Sequence, residues 1–209
     1  MTNTLHRKGS AEDLQKDFVI FALPKLGMLP VKEVIGTLKR FSEICVRHDP
    51  LNMGKVDKMA LRRIDPTRLR AEMEDNIGLT ATFDNIEAVA SVVAELKQAD
   101  LGISVNISGL LTSADECCQK AGMNRHSVEQ SLGIFGQKER LPQNEIVEIN
   151  TLCGHGLVAF NLIRKIIDEI KLERMTPAQG ALHLAKPCEC GVFNIRRAQE
   201  LLEKLRQRC

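Results

Sequence analysis

Thiol and imidazole groups crowd two short loops of this 209-residue chain. One is Cys153-Gly154-His155-Gly156 and the other Cys188-Glu189-Cys190-Gly191, 35 positions apart (188 − 153). A further pair, Cys117-Cys118, lies upstream. Thiolates and an imidazole gathered from separate turns are how a chain builds one metal or cluster site. Cys-x-His and Cys-x-Cys spacings put both side chains of a loop on one side of a sharp turn. The flanking Gly154, Gly156 and Gly191 let backbone approach closely and offer N–H groups to sulfur, which makes them the cofactor-cradling positions.

The pattern admits several chemistries. An iron–sulfur cluster uses Cys153, Cys188 and Cys190, with a fourth thiolate from Cys117 or Cys118 or with one iron open to substrate; His155 is then the catalytic acid or base beside it. A Cys3His zinc site uses Cys153, His155, Cys188 and Cys190 and ties helices together. A metal-free thiol enzyme pairs Cys153 with His155 and takes its oxyanion hole from the Gly154 and Gly156 amides. Neither loop has the Cys-x2-Cys run common to both metal classes. His183 is a reserve ligand. Packing alone explains Cys45, on an apolar helix face, whereas cysteines in Gly- and Pro-bounded loops call for another reason.

Composition narrows the setting. Seven cysteines, an odd number, do not make a disulfide framework, so the expected compartment is the reducing cytoplasm. Apolar content of 44% and charged content of 27% are those of a globular domain. A net charge of +2 names no nucleic-acid partner, and with neither Trp nor Tyr in the chain base-stacking surfaces are not expected. The longest apolar run, Phe18 to Leu23, is too short to span a bilayer.

The elements that must hold these loops fall into three stretches, 1–76, 77–136 and 137–209. The first reads as helical. Ser10 with Asp13 caps a helix carrying Leu14, Phe18, Phe21 and Ala22, and a second helix runs from Val31 to Arg47, followed by a solvated connector at 55–70. The second alternates strand and helix: Leu79 to Phe83, a helix capped by Asp84, Ile103 to Ile107, a helix boxed by Ser113 and Glu116, then Val128 to Ile134. The third is helical. A long helix starts at the Cys-Gly-His-Gly loop, another follows the Thr176-Pro177-Gln179 start signal, and a last one is capped by Asn194.

The expectation is an α/β fold: a small three-stranded, largely parallel sheet (β-α-β-α-β) flanked by N-terminal and C-terminal helical regions. Thr, Ser and Asn on one face of the strands mean that this side is wet or covers a polar site. Helix N-termini beside the thiols would lower their pKa and form a pocket for a small anionic substrate. The functional expectation is a cytoplasmic iron–sulfur enzyme or redox protein, with a non-catalytic zinc-stabilised interaction or regulatory module as the competing class.

Overall fold

Phe18 to Leu23 is an unbroken apolar run, and in the computed structural model it is the strand β1 (Phe18–Leu23), not a helix. The structure describes residues 7–23, 31–56 and 78–207. The run is continuous because both faces of β1 are covered: Phe18, Ile20 and Ala22 enter one hydrophobic core, Val19 and Phe21 the other. The helix read from Ser10 is only one turn, α1 (Ala11–Leu14), although Ser10 does cap it by accepting the Asp13 N–H.

Three more strands complete the sheet. They are β2 (Asn52–Val56), β3 (Gly78–Phe83) and β4 (Ser104–Ser108), in the order β2-β3-β1-β4. Every neighbouring pair is antiparallel, with Ile20 opposite Ala81 on one side and Ile107 on the other. This overturns the three-stranded, largely parallel sheet. β3 and β4 are joined through a helix and run in the same direction, but β1 lies between them, antiparallel to both, so no parallel ladder forms. The strand expected at Val128–Ile134 is absent. Residues 123–137 form neither helix nor strand, Leu132 and Phe135 are exposed, and Gly133 and Gly136 take positive φ angles that break an extended run. β2 replaces the start of the expected connector; its remainder, 57–70, lies outside the described residues.

One face of the sheet packs on α2 (Val31–Val46), α3 (Ile86–Ala99) and α4 (Leu111–Lys120). Val34, Leu38 and Phe41 of α2 and Val89, Val92 and Val93 of α3 meet Leu79, Ala81 and Phe83 there. Asn85, not Asp84, caps α3, accepting the Ala88 N–H at 2.8 Å. Ser113 is buried inside α4 and caps nothing; the cap position, Leu110, makes no side-chain bond. The apolar stripes of α2 and α3 lie in one core against this sheet face, as their helical spacing predicts.

The other face carries α5 (Asn144–Thr151), α6 (Phe160–Lys171), α7 (Pro177–Ala185) and α8 (Ile195–Gln207). Ile149, Leu152, Ile163, Leu184, Val192 and Phe193 fill this second core, in which Cys153, Cys188 and Cys190 are also members. The sheet is thus the middle of three layers. Among the described residues no helix is long and apolar enough to cross a membrane.

Candidate functional site

The thiol loops hang from helix C-termini. α5 stops at Thr151, and the Cys153 N–H bonds the Asn150 carbonyl at 3.3 Å; a tight turn then returns the Gly156 N–H to the Cys153 carbonyl at 2.9 Å. α6 begins only at Phe160, with Ala159 at its cap, so it does not open at the Cys-Gly-His-Gly loop as the spacing predicts. α7 starts on a complete capping box: Thr176 accepts the Gln179 N–H and the Gln179 side chain accepts the Thr176 N–H. Cys188 follows its last turn, its N–H bonded to the Ala185 carbonyl at 3.1 Å. The expected activation of these thiols by helix N-termini therefore has the wrong polarity, since a C-terminus is the negative end of the dipole.

The second loop lies on the polar side of the sheet. Thr80 donates its hydroxyl to the Cys190 carbonyl at 2.5 Å and Thr82 donates to the Gly191 carbonyl at 3.2 Å. Asn52 gives its amide to the Phe193 carbonyl. Backbone meets backbone here: a Cβ on Gly54 would collide with the Cys190 carbonyl, and one on Gly191, whose φ is +70°, would stand 2.6 Å from the Met53 carbonyl. Gly191 is thus a close-approach residue, but it approaches strand β2. Gly156 also has a positive φ, +67°, with open space around it, and Gly154 is partly buried.

Asn194 ends the loop and caps α8, accepting the Arg197 N–H at 2.9 Å. Its amide donates to Asp17 at 3.2 Å and to the Lys16 carbonyl at 2.8 Å. Asp17 is wholly buried and also takes the guanidinium of Arg197 at 2.7 Å and that of Arg7 at 3.1 Å. Two buried cations on one carboxylate, with Glu148 3.8 Å from Arg197, fix this corner of the molecule.

The three loop thiols share one buried core and shift one another's pKa. The neighbouring Cys188, together with burial, drives the Cys153 pKa far up. Cys188 is lowered by Cys153, but Cys190 and burial outweigh this and leave it pushed up to about 11. Cys190 is lowered by Cys188 and by the Val192 backbone, against the effect of burial. Exposure is 1% for Cys153 and Cys188 and 0% for Cys190. His155 approaches from the surface: it is exposed, and its Nδ1 lies 3.7 Å from Cys190 Sγ.

The other candidates are elsewhere. Cys117 belongs to the core on the opposite side of the sheet, where its thiol faces the Ile86 carbonyl at 3.8 Å and burial pushes its pKa up to about 11. Cys118, on the same helix, is half-buried, with its pKa raised by burial and by Asp115. Cys45 is in that core too, and His183 is exposed on α7. The structure brings together Cys153, His155, Cys188 and Cys190 and leaves Cys117 and Cys118 apart.

Sequence reasoning did not find the support. Arg7, Asp17 and Asn52 give no local signal, whereas Thr80 and Thr82 are the polar strand face whose purpose the alternation left open. Among the described residues no three His, Cys, Asp or Glu side chains are arranged as ligands about a common centre. No family model, no curated protein and no solved structure matches the chain.

Proposed function

We propose that Cys153, His155, Cys188 and Cys190 form a structural zinc site, and that the protein is a non-catalytic interaction or regulatory module whose C-terminal helical layer this site secures. The observation that carries the reading is the convergence of four soft donors from two loops, three of them within 1% of complete burial. Tetrahedral zinc, with Zn–S of about 2.3 Å and Zn–N of about 2.0 Å, sets sulfur and nitrogen about 3.5 Å apart. The 3.7 Å between Cys190 Sγ and His155 Nδ1 fits that edge. Binding requires the thiols as thiolates.

Burial favours a structural role. A closed site with no ligand position facing a cleft is the structural kind of zinc site. Two open grooves lie elsewhere, one by Gln143, Lys171 and Leu205 and one by Arg40, Arg47 and Glu95. The iron–sulfur reading is less well served: Cys117 and Cys118 are on the far side of the sheet, which leaves the loop site without either of them as a fourth thiolate. A nucleophilic role for Cys153 is poorly served by its burial, and His155 lies beside Cys190. The described cysteines are all free thiols, which supports a reducing compartment such as the cytoplasm.

The test is metal analysis of chain purified without oxygen and reconstituted with zinc or with iron and sulfide. One zinc per colourless chain is expected, lost in Cys153→Ser, Cys188→Ser and Cys190→Ser and kept in Cys45→Ser and Cys117→Ser. Stoichiometric iron and sulfide overturn the zinc reading in favour of a cluster. No metal under either condition leaves the thiols as plain buried groups.

A further inference from the structure

One guanidinium joins the two thiol loops. Arg7 donates from Nη1 to the Leu152 carbonyl at 3.0 Å and from Nη2 to the Val192 carbonyl at 2.6 Å. Leu152 immediately precedes Cys153. Val192 stands two residues after Cys190, so its bond to Arg7 anchors the second loop next to its thiols. The Arg7 side chain is 5% exposed and is paired with Asp17 at 3.1 Å. The chain around it is docked as well: the Lys8 N–H bonds the Thr151 hydroxyl at 3.0 Å, and the Lys8 carbonyl accepts from Arg197. The Arg7 Nε–H is buried without a partner. Burying a guanidinium with one donor unmatched is costly, and the fork is retained against that cost.

We infer that Arg7 is a positioning residue of the thiol site, a fork that holds the loop after α5 and the loop after α7 at the separation their sulfurs need. The inference rests on the zinc reading for its ligand. A lysine could reach one carbonyl as a point charge; only the planar fork spans two in fixed geometry. The charge matters too. Zinc held by three thiolates and a neutral imidazole is left with a net negative charge, and Arg7 is a buried cation beside two of the ligand backbones. Outer partners of this sort orient metal ligands without touching the metal.

The experiment compares the full-length chain with Arg7→Met, Arg7→Lys and, as a control for loss of a nearby cation, Lys8→Met. Two quantities are read: zinc affinity by chelator competition, and the rate at which a maleimide labels Cys190 in the metal-free chain, followed by peptide mass. Arg7→Met is expected to weaken zinc binding by about 10- to 100-fold, the usual effect of losing an outer partner. It should also label faster than the parent. Arg7→Lys should fall between them and Lys8→Met should match the parent. If Arg7→Met does not fold by circular dichroism, Arg7→Lys carries the same comparison. Equal zinc affinity and equal labelling in parent and Arg7 variants overturn the inference. A parent that takes up no zinc sinks the zinc reading instead, while the labelling rates still decide whether Arg7 holds the loops.

Discussion

Thr80, in the middle of strand β3, donates its hydroxyl to the carbonyl of Cys190 at 2.5 Å, across 110 positions of sequence. Both groups are buried, so neither has water as an alternative partner. The bond makes the polar face of the sheet the seat of the second thiol loop, and it explains why a β-branched hydroxyl stands where Val would pack as well. Thr80→Val keeps the shape and orphans the carbonyl. It should lower unfolding stability by about 1–3 kcal/mol in urea titration, and Thr80→Ser should recover part of that. Equal midpoints for Thr80→Val and the parent would show the carbonyl to be satisfied otherwise.

Glycines on and off this seam should behave oppositely. Gly54→Ala drives a Cβ into the Cys190 carbonyl, and backbone cannot move aside as a side chain does. A loss of about 1–3 kcal/mol is expected from such overpacking. Gly36 lies inside α2 with nothing within 4 Å of an added Cβ. Gly36→Ala should therefore stabilise, by about 0.5–1 kcal/mol, through helix propensity. Thermal melts of the two variants side by side make the comparison, and matching signs would contradict it.

Asp17→Asn strikes harder. The carboxylate takes Arg197 and Arg7 and also accepts from Asn194, all in the interior. Removing its charge strands two buried guanidiniums. Breaking a buried pair from one side costs about 3–5 kcal/mol, enough to unfold a chain of ordinary stability at physiological temperature. Denaturant titration at low temperature is the measurement, and a loss under about 1 kcal/mol would show that water reaches the pair.

Acid should be felt at Glu95. Its carboxylate is hydrogen-bonded by Arg47 and then by His48, and these contacts hold its pKa below the usual glutamate range. The folded pKa is depressed, so the stability it lends is complete above the unfolded value and disappears as pH falls through the folded one. Arg47→Met should bring the Glu95 carboxyl titration, followed by carbon NMR, back toward the ordinary value. It should also flatten the acid limb of the stability curve. An unchanged titration would mean that the pair does not persist in solution.

Local chemistry was legible and remote pairing was not. Thr176-Pro177-Gln179 and the Asn194 cap announce themselves because their partners lie three residues away. The thiol loops are legible for the same reason, as short runs of rare residue types. Phe18 to Leu23 shows only that it is apolar. Its place between β3 and β4 depends on segments far along the chain, and that insertion turns an expected parallel sheet into an antiparallel one. Val128 to Ile134 has strand alternation but ends in two glycines at positive φ and pairs with no strand. Arg7 gives no signal at all, since the carbonyls it holds are 145 and 185 positions away. Thr80 and Thr82 are legible only by half: their alternation marks a face, and only the fold says what lies on it.

The Asp17–Arg197 pair spans 180 positions, and Asn194 reaches back 178 to Lys16. A ribosome completes Asn52, Thr80 and Thr82 well before it makes the carbonyls they serve. Until then the loop and the last helix that complete the core around Val19 and Phe21 have not been made. Contacts of such long reach slow folding, and half-covered sheets recruit other chains meanwhile. Between the synthesis of β4 and of α8, the second face of the sheet therefore lacks part of its covering layer.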